Sequence, residues 1–401
     1  MHLPDFSGRR LIGAAAVACA VALIPVAALA AMTSPAGTGQ AGTARPPSLL
    51  ASREAAATVP AGFEPASASF YSPDSGVVLG TVGCKPGRAC TARLAATTDG
   101  GARWRFIKAP DVRLPDPAGA SRAPEVISVV FASRRVGWLY GPGLWSTRDG
   151  GARWRRISLG ANIRPSLGGG VAAMAVSAGI VYAVVSPDPF NGRPEELFAS
   201  PAGRDAWARV GAMTGDPSAI LAVSGKAAWF GAGTDLWATA DGVRWHKYPF
   251  RCPGAYYGLA GIAPASSSHV VFLCTSALGT YHTGKEVLRS VNGGRTEHLT
   301  GRAPVGGDTY GDPIAVPPHR GKVITIAVVT PGPSYLYRSA NGGKTWADIA
   351  VPGTQGGMDL SSLSYVSQTV GWVVAGGPGA SSQNRLLRTS DAGATWHTVG
   401  F

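Results

Sequence analysis

Thr97-Thr98-Asp99-Gly100-Gly101-Ala102-Arg103-Trp104 decides the fold, because the chain repeats it. The pattern returns as Thr147-Arg148-Asp149-Gly150-Gly151-Ala152-Arg153-Trp154 and as Ser339-Ala340-Asn341-Gly342-Gly343-Lys344-Thr345-Trp346. It returns again as Thr389-Ser390-Asp391-Ala392-Gly393-Ala394-Thr395-Trp396. Two copies are altered: 239–245 is one residue short but keeps Asp241 and Trp245, and 290–297 keeps Asn292 but carries Glu297 where Trp is expected. A decayed seventh copy aligns Leu197-Phe198-Ala199-Ser200 with Leu144-Trp145-Ser146-Thr147, which sets Trp207 in the place of Trp154. The Trp-equivalent positions are thus 104, 154, 207, 245, 297, 346 and 396, mostly one four-stranded propeller blade apart.

Turn chemistry accounts for each residue of the motif. An Asp or Asn side chain accepts N–H bonds across a tight turn. Glycine supplies positive φ at no steric cost, the Ser/Thr hydroxyl ties the strand end to the turn, and Trp opens the next strand with a large buried ring. The boxes therefore read as hairpin staples rather than catalytic groups. In the second repeat, strands are expected over 126–132, 136–140, 144–147 and 153–158, and similar sets begin near Ala66, Val171, Ala219, Tyr257, Asp312 and Ser361. Val136-Gly137-Trp138 recurs as Val370-Gly371-Trp372, with Ala227-Ala228-Trp229 as a variant, marking second strands. The expectation is an all-β, seven-bladed propeller of four-stranded antiparallel blades over residues 63–401.

The repeat resembles the Asp-box (BNR) motif of the sialidase, sortilin and xyloglucanase-type propellers. Seven blades, one domain and the Val-Gly-Trp strands look more like the photosystem II assembly-factor-like propellers, a resemblance that implies a scaffold binding protein or carbohydrate. The sialidase resemblance implies instead an arginine trio, a Tyr/Glu couple and an Asp acid/base. Here the Phe/Tyr-Arg-Ile-Pro motif of that family is absent, and the seven Glu, at 54, 64, 125, 195, 196, 286 and 297, give no Glu-Tyr couple. A glycosidase of another kind would need two carboxylates about 5–9.5 Å apart, drawn from Asp116, Asp188, Asp308, Asp312 and Asp359. Xyloglucanase-type enzymes resemble two such propellers in tandem, whereas this chain holds one.

Before the propeller, residues 1–30 read as an export signal: Arg9-Arg10, then an apolar run from Leu11 to Leu29, then Ala28-Leu29-Ala30. The run is also long enough to serve as an uncleaved anchor. Residues 31–62, rich in Ala, Gly, Pro, Ser and Thr, read as a linker. The chain carries a formal charge of +13 without a Lys/Arg run or an aromatic-basic stripe. This composition favours a polyanionic neighbour such as a wall polymer over nucleic acid. Export favours oxidised cysteines, and Cys84–Cys90 with Cys252–Cys274 fits the blade map. No metal spacing, phosphate loop or nucleophile elbow is present, so neither metal nor cofactor is expected, and the ring is expected to stand as a monomer.

If each box joins the third and fourth strands, the long loops gather on the opposite face, over 109–124, 158–170, 186–195, 250–256, 275–285 and 301–311. Binding residues concentrate on such loops. The candidates there are Arg113, Arg164, Asp188, Arg193, Arg251, Tyr256, Tyr257, Tyr281, Asp308 and Tyr310, a set able to hold an extracellular glycan or an acidic peptide. Asp116, His282 and Asp359 belong to loops of the same face. Signal cleavage after Ala30 predicts a mature chain beginning Ala31-Met32-Thr33, without a membrane span; N-terminal sequencing of exported protein that begins at Met1 would show a retained anchor.

Overall fold

A computed structural model describes residues 58–84, 90–114, 126–160, 163, 169–187, 194–213, 220–232, 234–254, 258–279, 282–308, 314–330, 334–354, 360–376 and 384–401. Seven four-stranded antiparallel sheets follow one another, each made of strands consecutive within its own sheet. Blade one comprises Phe63–Phe70, Gly76–Val82, Arg93–Thr97 and Arg105–Ile107, and blade two Ser128–Phe131, Gly137–Tyr140, Leu144–Thr147 and Arg155–Ile157. The later blades begin at Gly170, Ile220, Gly258, Ile314 and Leu360. The expected strands of blade two are present, shortened by one or two residues at most ends. First strands of successive blades contact one another, and that of blade seven meets that of blade one, closing a ring about a central channel. The disulfides Cys84–Cys90 and Cys252–Cys274 are formed, with Cα separations of 5.6 and 5.7 Å.

Each box works as its chemistry requires. Thr97 Oγ1 donates to Asp99 Oδ1 at 2.9 Å and accepts from Gly101 N at 3.0 Å, while Arg103 N donates to the same carboxylate oxygen at 2.9 Å. The same three bonds recur at Thr147, Ser290, Ser339 and Thr389, with Asn292 and Asn341 serving as well as Asp. Gly101 sits at φ +88°, and an added Cβ would stand 2.8 Å from Val399 Cγ1, so the position requires glycine. The short box of blade four keeps the design with one residue fewer: Gly242 N reaches Thr239 Oγ1, and Asp241 Oδ1 accepts from both Val243 N and Arg244 N.

The decayed box keeps its hydroxyl and its tryptophan but not its acceptor. Ser200 Oγ donates to Arg204 O at 2.7 Å and accepts from Ala206 N at 3.1 Å. Ala202 stands where the box acceptor is expected, and Asp205, later in the turn, reaches blade two, where Oδ1 meets Arg148 Nη2 at 2.6 Å and Oδ2 accepts from Ser146 Oγ at 2.9 Å. The Arg148 guanidinium also lies 4.9 Å from the centre of the Trp138 ring.

Box tryptophans fill the junction with the preceding blade. Trp245 meets Tyr182 of blade three edge-on at 5.8 Å, and Trp154 Nε1 donates to Lys108 O of blade one. Trp207 joins the cluster of Trp138 and Leu144, and Trp396 that of Ala327 and Leu336. At the junction of blades seven and one, Trp104 packs with Val59, Phe63, Val78, Trp372 and Leu386. There Phe70 stacks on Trp372 with ring centres 3.6 Å apart, and Phe401 lies 4.6 Å from Phe63.

Two outcomes test this account. Thr147→Val leaves the buried Gly151 N–H without its acceptor and should cost about 1–3 kcal/mol, read by urea unfolding; Asp149→Asn should cost much less, because Asn already serves in two boxes. Burial acts to raise the Asp391 carboxyl, but the bonds from Thr395 and Thr389 outweigh it and hold the group down, to about 2. A carboxyl held below its unfolded value lends stability that is present above about pH 4 and lost as pH falls through about 2. Asp391→Asn should therefore lose less thermal stability between pH 6 and pH 2 than the parent.

Candidate functional site

Neighbouring first strands splay apart around the channel, so their backbones do not ladder together, and serine hydroxyls bridge them instead. Ser67 Oγ lies 2.7 Å from Ser128 Oγ and accepts from Val129 N, and Phe131 N donates to Ser69 Oγ at 2.9 Å. On the other flank Ala68 N donates to Ser362 Oγ at 3.1 Å, and Ser362 Oγ donates on to Ser67 Oγ. Blades seven, one and two are thus laced together by hydroxyl groups. Beside this lacing the channel holds a cavity of about 600 Å³, walled by the first strands of blades one, two, three and seven. Ser69, Ser128, Ser177, Ser364, Tyr71 and Tyr140 supply its polar groups, and its described lining contains no charged side chain. Tyr365, also in the wall, shares a 2.7 Å bond with Thr325 Oγ1, and burial pushes its hydroxyl up to about 12, so it stays a neutral donor. The turns at 71–75, 132–136 and 177–180 place the cavity toward the same face as the boxes.

The long-loop face is described only in part. Arg113 is exposed on a small ribbon in which Thr91 pairs with Arg113 and Cys90 with Leu114. Arg251 is exposed beside the Cys252–Cys274 bridge. Asp308 is engaged in structure: its carboxylate accepts from the Thr283 hydroxyl, and its backbone exchanges two 2.8 Å bonds with Val329. Arg164, Asp188, Arg193, Tyr256, Tyr257, Tyr281 and Tyr310 lie outside the described residues, as do Asp116 and Asp359. His282 opens the third strand of blade five, with a parallel bridge to Gly307. Among the described residues no group of His, Cys, Asp and Glu is arranged to hold a metal ion.

One charged side chain at this face escaped the sequence reading. Lys285, on the third strand of blade five, is only 1% exposed, and its ammonium is ringed by the carbonyls of Thr283, Pro304, Val305, Gly306 and Gly307 at 2.7–3.4 Å. Tyr337 closes the cage, donating to Gly306 O, with its ring centre 5.9 Å from Nζ. Lysine here does what a bound cation does elsewhere: it collects the carbonyls of a loop that forms no ladder of its own. The signal lay in the sequence as a lone lysine within an otherwise buried strand, HTGKEVLRS.

No protein-family profile matches the chain, and no curated protein sequence does. Solved structures do. The structure described as YCF48 bound to D1 peptide aligns with 84% of this chain and 96% of its own, at 16% identity and a TM-score of 0.50. An ulvan lyase of polysaccharide lyase family PL25, bound to a GlcA–Rha3S saccharide, aligns with 83% of this chain and 96% of its own, at 9% identity and a TM-score of 0.52. The GH74 enzyme of Niastella koreensis aligns with 84% of this chain and 65% of its own, at 13% identity and a TM-score of 0.41. At such identities the similarity establishes the propeller fold, which hosts both binding proteins and enzymes.

Lys285→Met keeps the stem's length but leaves the carbonyls of 304–307 without their shared donor. It should lower unfolding stability by about 2 kcal/mol or more, measured in urea, and speed amide exchange at 282–308 ahead of the other blades.

Proposed function

We propose that this chain is an exported binding propeller that holds an uncharged, extended segment of an extracellular protein or glycan in its channel, entered from the face that carries the boxes. The observation that carries this reading is the channel wall. Hydroxyls, backbone and tyrosine rings surround a cavity of about 600 Å³, within the range of roughly 300–1,000 Å³ typical of ligand sites. Such groups recognise hydrogen-bonding ligands, whereas acid–base hydrolysis needs a proton donor and a second carboxylate. The YCF48 structure supports a polypeptide ligand, since the protein that aligns with 84% of this chain is there bound to a peptide. The positive net charge supports residence beside an anionic surface polymer.

Ser177 lines the cavity at the end of a first strand, and a larger side chain there narrows the channel. Immobilised protein should retain a partner from the extracellular fraction of its own cells, and Ser177→Trp should lose that partner with its thermal midpoint unchanged. Equal retention by Ser177→Trp would remove the channel from the reading. Turnover of fluorogenic sialosides or other glycosides by the purified protein would replace binding with the sialidase-like alternative.

A further inference from the structure

The junction of blades four and five departs from the other six. Register shows where a box indole belongs. Ile107 pairs with Leu94 in blade one, and Trp154 of blade two packs in the cluster that includes Ile107. Tyr248 pairs with Leu236 in blade four, so it holds the same position as Ile107. The residue due to cover it from blade five is Glu297, where the repeat calls for Trp. In the second strand of blade four, Trp229 occupies the place that Tyr182 holds beneath Trp245, and its indole N–H is spent on Gly293 O at 2.8 Å. With no indole entering from blade five, a groove of about 450 Å³ stays open between the blades. Its floor is Trp229 and Ala238, and its sides carry Tyr248 and His246 from blade four and Asn292 from blade five. Arg244 from blade four and Arg295 from blade five also line it. Both arginines are exposed, and neither makes an ion pair among the described residues. Asp241, the carboxylate in the lining, takes three hydrogen bonds on Oδ1, from the Thr239 hydroxyl and two backbone N–H groups of its turn, and they hold it ionised, so the two arginines must outweigh one negative charge.

We propose that this groove binds an acidic saccharide: a uronate-type sugar ring takes the place of the missing indole against Tyr248, with its carboxylate held between Arg244 and Arg295. A pyranose offers a C–H face for an aromatic ring and hydroxyls for Asn292 and His246, and a guanidinium binds a carboxylate through paired donors. The groove lies at the box end of a blade junction, away from the channel, so it is a second site beside the one proposed above. It also explains the lost tryptophan: the residue that would seal the junction has given way to one that leaves the slot open.

Trigalacturonate and its methyl ester, titrated calorimetrically into the whole protein, test this directly. The acid should bind and the ester should bind about 10-fold more weakly or worse, the loss expected when charge-assisted hydrogen bonds go. Glu297→Trp restores the repeat and fills the slot; it should abolish binding while holding or raising the thermal midpoint. Arg244→Gln with Arg295→Gln should weaken the acid at least about 10-fold and flatten its salt dependence, so the test stands even if the tryptophan variant does not fold. Ser177→Trp should bind the acid as the parent does, which separates this site from the channel. No heat at millimolar trigalacturonate, or undiminished binding by Glu297→Trp or the double variant, would overturn the proposal.

Discussion

A buried hydroxyl at the end of every third strand is the constraint on which the ring depends. Thr97, Thr147, Ser200, Thr239, Ser290, Ser339 and Thr389 are each 3% exposed or less, and each both donates and accepts a hydrogen bond. A hydroxyl is the smallest side-chain group able to do both. Aspartate, which gives the motif its character, is replaced by Asn in two blades and lost in a third, because its task is only to accept. The turn so formed is then clasped to its own blade, where Gly100, Gly150, Gly293, Gly342 and Ala392 donate to carbonyls of the first turn at 2.8–2.9 Å. The hydroxyl thus shapes the outer hairpin, the hairpin aims the tryptophan, and the tryptophan seals the joint to the blade before.

Closing the ring is a separate problem. Each blade is completed by its own strands, so no shared strand carries hydrogen bonds from blade seven into blade one among the described residues. Apolar and aromatic packing takes that place. Phe63, Phe70 and Trp104 from one end of the ring interlock with Trp372 and Phe401 from the other, while Asn384 Nδ2 reaches Pro65 O and the serine lacing crosses on the channel side. Edge-on and stacked ring pairs add roughly 0.5–1.5 kcal/mol each beyond their buried area, which makes them a sufficient substitute for a short ladder. Phe401 is itself part of this closure, so truncating its ring would loosen the contact with Phe63 and Trp104 of blade one.

The repeat was legible because its causes are local. A hydroxyl, an acceptor two residues on, positive-φ glycines and a tryptophan fit within eight residues, and their spacing carries blade size and number. Even Ser200 and Trp207 were readable by register, although the Asp and Gly between them were gone. The new use of Asp205 was not legible, since its partner Arg148 stands 57 residues earlier. The channel lacing was equally hidden: Ser67, Ser128 and Ser362 are unremarkable serines in strands, the first two made partners by the packing of neighbouring blades and Ser67 with Ser362 by closure across most of the chain. Lys285 was hidden for another reason, because its cage consists of backbone carbonyls, which leave no mark on a sequence. Arg113, Arg251 and Asp308, chosen for loop position and charge, follow the fourth strands of blades one, four and five.

In a repeat protein, departures from the repeat carry more functional information than the repeat itself. A residue present in every blade answers a need that every blade shares, and that need is stability. Two departures here have opposite physical outcomes. In blade three, where the acceptor is lost, Asp205 further along the same turn makes a partly buried contact through both carboxylate oxygens with Arg148 and Ser146 across the junction. In blade five, the turn survives intact around Asn292, so nothing in the fold required the tryptophan to change. Burial pushes the Glu297 carboxyl above its ordinary range, and an unfavourably placed acid is a poor filler for an indole slot. A change that spares its own turn and leaves a cleft lined by two exposed arginines is what the proposed acidic-saccharide site rests on.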